Sequence, residues 1–159
     1  MGLLNILERL LIPAGRGQQK RIELKEIFCK RKDDGYIETF KTAAVGTELS
    51  NPDGSDRQAA LEKLKVGQKL RLIWDAGESG SKNVVYLLLT RSTYTQELAM
   101  PDCFGRLNDK VAADVIRWLN KDNIVTAASV VKIVGGTRKR PKLGCVLELR
   151  TYPGPEAKE

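Results

Sequence analysis

The sequence contains no histidine. Without that residue the chain cannot build a Ser-His-Asp or Cys-His catalytic centre or a His-Glu-x-x-His zinc site, and it lacks the commonest general base of enzymes. Its acidic residues stand singly or in turn-like stretches such as "KDDG" and "NPDGSD" rather than as paired carboxylates. We therefore expect a protein that is not an enzyme.

Cysteine is scarce, and no phosphate-binding loop is present. Cys29, Cys103 and Cys145 include no Cys-x-x-Cys pair, and their odd number excludes a complete set of disulfides. The glycine-containing stretches "GGTRKRPKLG" and "PAGRGQQ" lack the residue spacing of phosphate-binding loops. We expect no metal, no cofactor and no nucleotide site, and we expect the cysteines to be buried.

Long apolar runs are missing as well. No stretch reaches the length of about 18 apolar residues that a bilayer-spanning helix needs, and Glu8 and Arg9 interrupt the apolar N-terminal segment that would otherwise resemble a signal peptide. At 159 residues, 42% hydrophobic and 30% charged, the chain has the size and composition of one soluble domain. We expect a cytoplasmic protein that does not bind membranes.

Apolar periodicity predicts a mainly β protein. The predicted strands cover residues 21–28, 35–46, 68–74 and 83–89, and a closing hairpin covers residues 130–152. The sequence Asp34-Gly35 predicts a tight hairpin turn between the first two strands.

Alternation within two of these strands predicts which side chains face the core. In the third strand, Leu70, Leu72 and Trp74 are expected to point inward. Lys69 and Arg71 are expected to point outward. In the last strand Cys145, Leu147 and Leu149 should share one face, opposite Val146, Glu148 and Arg150.

Helical spacing predicts helices at residues 3–12, at about 56–65 and after Asn108, which is placed to cap the last of them. Ser55 and Gln58 have the spacing of a capping box for the second helix. Residues 90–104 show no clear period. The chain is thus predicted to be an α+β protein, mainly β with two or three helices, forming a small curled sheet or an OB-like β-barrel. Residues 21–153 are expected to form its single domain, preceded by a helix and linker at 1–20 and followed by a loose tail at 154–159.

The net charge of +7 is concentrated in two short stretches. Residues 16–32 carry seven Lys or Arg against two Glu, and residues 129–152 carry six against one. Clusters of this kind bind polyanions because each phosphate that a cation neutralises releases counterions. The alternative is that the basic hairpin loop only protects a sheet edge and keeps the protein soluble.

Several motifs follow one another in a distinctive order over roughly residues 40–150. A strand ending in Val45-Gly46 is followed by a helix, then by the strand "VGQKLRLIW", an asparagine before the next strand, a "GRL" segment, a second helix, and a valine-rich strand ending in a glycine pair. The positions concerned are Gly67, Leu70, Leu72, Asn83, Gly105, Leu107, Val131, Ile133, Gly135 and Gly136. In this order and at these positions the chain resembles the HIRAN domain family.

This resemblance, to a divergent stand-alone bacterial type of member, implies an OB-like barrel with two helices that binds single-stranded DNA or DNA ends and has no enzyme activity. Relatives of that fold bind single strands by stacking and by a positive groove. This chain departs from the family after Gly46, where Thr47, Glu48 and Leu49 replace the basic and aromatic residues of its DNA-binding members. Contacts to the phosphate backbone are therefore the expected mode of binding, with DNA preferred over RNA.

The candidate nucleic-acid-binding residues are mostly the cations of the two basic stretches. They are Arg138, Lys139, Arg140, Lys142, Lys132, Lys30, Arg31, Lys32, Lys69 and Arg71, together with Asn83 from the resemblance. Tyr36, Tyr86, Tyr94 and Tyr152 are the tyrosines available for stacking on bases, although packing is the expected role of each.

The rival hypothesis is a protein-interaction module. A ten-residue helix at residues 3–12 is marginal in water by itself and must pack on its own domain, on a second copy to form a homodimer, or in the groove of a protein partner.

Overall fold

The computed structural model describes residues 10–13, 19–22, 24–27, 35–75, 84–90 and 100–154. Within these ranges the chain is mainly β. Its strands are β1 (Leu10–Pro13), β2 (Gln19–Ile22), β3 (Leu24–Ile27), β4 (Glu38–Ala43), β5 (Lys69–Asp75), β6 (Val84–Leu89), β7 (Cys103–Arg106), β8 (Ile124–Val134) and β9 (Gly144–Pro153). Its helices are α1 (Arg57–Leu61) and α2 (Asp109–Arg117), with a 3-10 turn at Met100–Asp102 and a π-helical turn at Trp118–Asp122.

Seven of the described strands form one curled antiparallel sheet that makes half of a barrel. The order is β4-β9-β8-β5-β6-β7, and β3 pairs with the part of β5 that β8 leaves free. The sheet curls far enough for Val45, two residues after β4, to form one isolated bridge with Arg106 at the end of β7. Val45 N donates to Arg106 O at 2.9 Å, and Arg106 N donates to Val45 O at 3.0 Å. β1 and β2 form a separate two-stranded sheet.

The inner face of the sheet and both helices enclose the main core. Leu72, Leu87, Phe104, Leu147 and Leu149 are almost fully buried there. From the helices come Ala60 and Leu61 of α1, and Ala112, Val115 and Ile116 of α2. Burial of this much apolar surface is the main stabilising contribution to such a domain.

A second core lies on the opposite face of β5 and β6. It consists of Leu24, Ile73, Leu88, Met100 and Cys103, with Tyr86 packed against it. These two strands are therefore buried on both faces, which is why β6 has the continuous apolar sequence "VVYLLL".

Several predictions about secondary structure are confirmed. In the described residues the chain is mainly β with two α-helices, as expected for an α+β protein. Asn108 caps α2, with its Oδ1 accepting a hydrogen bond from Val111 N at 2.9 Å. In β9, Cys145, Leu147 and Leu149 are buried while the residues between them are only partly so.

Three predictions were wrong. Residues 10–12 belong to a strand instead of the end of a helix, and residues 3–9 lie outside the described ranges. The strands on either side of Asp34-Gly35 do not pair, because β3 pairs with β5 and β4 pairs with β9. α1 is shorter than expected and is capped by Asp56, whose Oδ1 accepts from Gln58 N at 3.0 Å.

No helix in the described ranges is both long and apolar enough to cross a bilayer.

Candidate functional site

The hairpin loop, residues 135–143, connects β8 to β9 and has a defined backbone. Gly135 and Gly136 both have positive φ angles, 85° and 74°. A Cβ atom on Gly135 would lie 2.0 Å from the carbonyl oxygen of Lys142, so glycine is required at this close approach of the two sides. At the tip, Thr137 N donates to Arg140 O at 2.9 Å and Arg140 N donates to Thr137 Oγ1 at 3.1 Å.

The hairpin loop presents four cations to solvent. Arg138, Lys139, Arg140 and Lys142 are all exposed, and none of them takes part in the ion pairs found among the described residues. Four like charges on one short turn repel one another, and a polyanion would relieve that repulsion. The structure thus brings together the four cations that the sequence placed first among the candidates.

A groove of about 490 Å³ lies beside the base of the hairpin loop. One wall is formed by residues 43–48, and the other by Val134 and residues 140–146. Arg140 and Lys142 contribute positive charge to the second wall, and Glu48 contributes one carboxylate to the first. The groove is open to solvent. Its net charge is positive and lies on the side of the hairpin loop.

Gln58 of α1 holds the two walls of the groove together. Its Nε2 donates to Thr47 O and to Leu143 O, both at 3.0 Å, and its Oε1 accepts from Leu143 N at 2.8 Å. The spacing of Ser55 and Gln58 predicted a capping box. The observed role of Gln58 was not predicted, because Thr47 and Leu143 become its neighbours only in the folded chain.

The first wall is also fixed from behind by Arg57, which is only 4% exposed. Its Nη1 donates to Gly46 O at 2.8 Å, and its Nε donates to Asn51 Oδ1 at 2.8 Å. Asn51 Nδ2 in turn donates to Met100 O at 2.8 Å and to Cys103 O at 3.0 Å. These neutral partners accept from two of the five N–H groups of the buried guanidinium and join three segments of the chain, so Arg57 acts as a structural residue.

Strand register places further cations on the outer face, defined as the face of β4, β9 and β8 that carries Val146, Glu148 and Arg150. Lys132 is paired with Val146, so it lies on this face next to the hairpin loop. Lys41 of β4 is paired directly with Glu148. Lys69 of β5 is paired with Ser129 of β8, which is itself paired with Glu148, so both lysines lie in the same row across the sheet as Glu148. Lys132, Lys69 and Lys41 are all exposed.

Lys41 was missed by sequence reasoning. Its strand was predicted, but the pairing of β4 with β9 joins residues more than a hundred positions apart and has no local pattern. In β4, Lys41 is exposed while its neighbours Phe40 and Thr42 are partly buried. This alternation is the only local indication of the direction in which Lys41 points.

The prediction for Arg71 was wrong, because its side chain is buried. It is 7% exposed and faces Glu26, which is 3% exposed. Arg71 Nε donates to Glu26 Oε2 at 2.8 Å, and Arg71 Nη2 pairs with Glu26 Oε1. The alternation in β5 was assigned correctly, but the second core covers the face on which Arg71 lies. Arg71 therefore cannot contact a phosphate on the surface.

The remaining candidates, Lys30, Arg31, Lys32 and Asn83, lie outside the described residues. The same is true of Cys29 and Tyr94.

The two cysteine thiols in the described residues are expected to be unreactive. Cys103 and Cys145 are both buried and free, and burial raises the pKa of each to about 11. Such thiols stay protonated at neutral pH and are poor nucleophiles. Among the described residues, no group of three or more His, Cys, Asp or Glu side chains is placed to hold a metal ion.

Comparisons of the chain with protein-family models, with curated proteins and with solved structures find no match.

Proposed function

We propose that this protein is a non-catalytic, cytoplasmic nucleic-acid-binding module that contacts single-stranded DNA through the hairpin loop and the groove beside it. The observation that carries the proposal is the set of four exposed cations, Arg138, Lys139, Arg140 and Lys142, on a turn whose backbone is fixed. The phosphate backbone supplies most of the affinity in such contacts, so little sequence preference is expected.

The positions that resemble the HIRAN family support the same proposal. Val45 and Gly46 line the groove, and a Cβ atom on Gly105 would lie 3.0 Å from Val45 O, so Gly105 packs directly against Val45. Gly135 shapes the hairpin loop on the other side of the groove. Val45, Gly46, Gly105 and Gly135 thus lie in or beside the groove, whereas other positions of the resemblance, such as Leu72 and Leu107, belong to the main core.

Binding should be measured by fluorescence anisotropy with labelled single-stranded DNA, double-stranded DNA and single-stranded RNA at about 50 and about 200 mM salt, a range over which phosphate contacts weaken strongly. The test variant replaces Arg138, Lys139, Arg140 and Lys142 with alanine. The matched control replaces Lys63, Lys65, Lys110 and Lys121 with alanine. This removes the same charge from exposed positions in or next to the helices that take part in none of the ion pairs found among the described residues.

Four phosphate contacts on a single strand correspond to a loss of about 50-fold in affinity between these salt concentrations. We expect this salt dependence in the wild-type protein and in the control, and a much shallower one, with weak binding, in the hairpin variant. Equal weakening of binding in the hairpin variant and the control would show that only the net charge of the protein matters, and not the position of the four cations. Absence of binding by the wild-type protein would refute the proposal.

A second candidate function is association with a protein, which the separate β1 and β2 sheet favours. A two-stranded sheet is marginally stable by itself, so this one is a place where a second copy or a protein partner would add stability. Deleting residues 1–22 removes both strands and leaves β3 to β9. A halved mass in light scattering would support self-association, and an unchanged mass would contradict it.

A further inference from the structure

An exposed aromatic ring lies on the outer face, at the end away from the hairpin loop. Tyr36 is 42% exposed, and the guanidinium carbon of Arg150 lies 4.9 Å from the centre of its ring. Arg150 is one of the residues that define the outer face, and its partners in the sheet are Thr39 of β4 and Ala127 of β8. Arg150 Nε also donates to Glu148 Oε1 at 2.9 Å, which fixes the guanidinium beneath the ring.

The other described tyrosines do not offer a comparable surface. Tyr152 is 5% exposed and belongs to the main core. Tyr86 packs against the second core and has the guanidinium of Arg57 over its ring at 5.9 Å. Tyr36 is thus distinguished by an accessible ring that already stacks on a cation. Rings of this kind serve as platforms for nucleobases, which have a π face in every sequence.

The path from the hairpin loop to Tyr36 follows β9 and carries mostly positive charge. The six residue steps from Gly144 to Arg150 correspond to about 20 Å of extended strand. Lys132 and Lys41 flank this path, and Lys69 lies in the same row as Lys41. The single carboxylate on the described part of the path, Glu148, is neutralised by Arg150. The length suits the lower part of the range of about 4–16 nucleotides that one OB-type fold covers.

We propose that the outer face of β4 and β9, with Lys132 of β8 at its hairpin end, is a binding track for a single strand. The β8 residues further along this face, Ser129 and Ala127, are buried and are not part of the track. In this arrangement the hairpin loop, Lys132 and Lys41 contact phosphates, and one unpaired base stacks on Tyr36. This inference rests on the proposed function and makes it more specific, because a stacked base requires a strand that is not in a duplex.

The experiment compares Tyr36→Ala and Tyr36→Phe with a control, Ile37→Ala, which changes the exposed residue next to it. Each variant is titrated with a 12-nucleotide single strand, with a duplex of the same sequence, and with a 12-unit strand that has the same phosphates but no bases. Thermal unfolding of each variant is measured to check that the fold is intact.

We expect Tyr36→Ala to bind the single strand about 5- to 150-fold more weakly, as for the loss of one stacked base. Tyr36→Phe and Ile37→Ala should bind it like the wild-type protein. The strand without bases should bind equally to wild type and Tyr36→Ala, because phosphate contacts are unaffected, and the slope of affinity against salt should not change.

Two outcomes separate this inference from the proposed function. If the hairpin variant loses binding while Tyr36→Ala binds every strand like the wild-type protein, the track is wrong and the proposed function stands. If the wild-type protein binds none of the strands, the proposed function itself fails. Loss of binding in Tyr36→Phe, or an equal loss on the strand without bases, would also overturn the stacking role.

Discussion

Thr126 of β8 and Thr151 of β9 lie opposite each other, yet they differ in whether their hydroxyl groups are satisfied. Thr151 Oγ1 donates to Glu38 O at 3.3 Å and accepts from Glu38 N at 3.2 Å. Thr126 Oγ1 is buried without a hydrogen-bond partner in the described structure. A buried hydroxyl without a partner costs free energy that an apolar group of the same shape does not.

The two threonines should therefore respond in opposite ways to valine. We expect Thr126→Val to raise the free energy of unfolding by about 1 kcal/mol, because it removes an unsatisfied polar group. We expect Thr151→Val to lower it by about 1 kcal/mol, because it leaves the backbone of Glu38 with fewer partners. Urea unfolding measures both, and changes of the same sign in the two variants would contradict the prediction.

Replacing Gln58 with alanine should loosen the base of the hairpin loop. The variant loses three hydrogen bonds to Thr47 and Leu143, for an expected loss of about 1–3 kcal/mol in the free energy of unfolding. Hydrogen exchange at the Leu143 amide should become faster, since that amide donates to Gln58. The exposed Lys63→Ala serves as the control. An unchanged exchange rate at Leu143 would show that Gln58 does not hold the loop.

The buried pair of Glu26 and Arg71 should be sensitive to single changes and tolerant of a double one. Arg71→Met leaves the Glu26 carboxylate buried without its partner, and we expect a loss of about 3–5 kcal/mol in unfolding free energy. The double variant Glu26→Leu with Arg71→Met should recover most of that loss. Its affinity for single-stranded DNA should equal that of the wild-type protein, because Arg71 does not reach the surface. A weaker affinity in the stable double variant would restore Arg71 as a binding residue.

Stability should fall in alkaline solution because of the buried thiols. Burial raises the pKa of Cys103 and Cys145 from 9.0 to about 11, so the thiols of the unfolded chain ionise first as the pH rises. This contribution is intact below about pH 9 and is lost progressively toward pH 11, by up to about 1.4 kcal/mol per pH unit for each thiol.

The measurement is urea unfolding from pH 8 to pH 10.5 for the wild-type protein and for Cys103→Ala with Cys145→Ala. The difference between the two curves isolates these thiols from other groups that titrate in this range. The wild-type curve should fall more steeply, and parallel curves would contradict the prediction.

The features that the sequence predicted correctly are those that depend on neighbouring residues. The cap at Asn108 and the alternation in β9 are patterns within a few positions of the chain. Arg71 was assigned to the wrong environment because the residues that cover its face, such as Leu24 and Met100, come from distant parts of the sequence. Residues 10–12 are too few for their apolar character to distinguish a strand from a helix.

The same distinction between local patterns and contacts of distant residues applies to the candidate site. The four cations of the hairpin loop lie within five consecutive positions, 138–142, so their exposure on one turn was predictable. The positions of Lys41 and Tyr36 depend on the pairing of β4 with β9, which the Asp34-Gly35 pattern did not indicate. Strand pairing over such separations is decided by the whole sheet.

The position of β9 between β4 and β8 determines when the molecule can fold during its synthesis. Glu38 and Thr151, which are paired in the sheet, are 113 residues apart. At ribosomal rates of about 5–20 residues per second, β4 therefore waits roughly 5 to 20 seconds for its partner strand to be made. The nascent chain can form the β5, β6 and β7 meander in that interval, but the half-barrel closes only when its last strand leaves the ribosome.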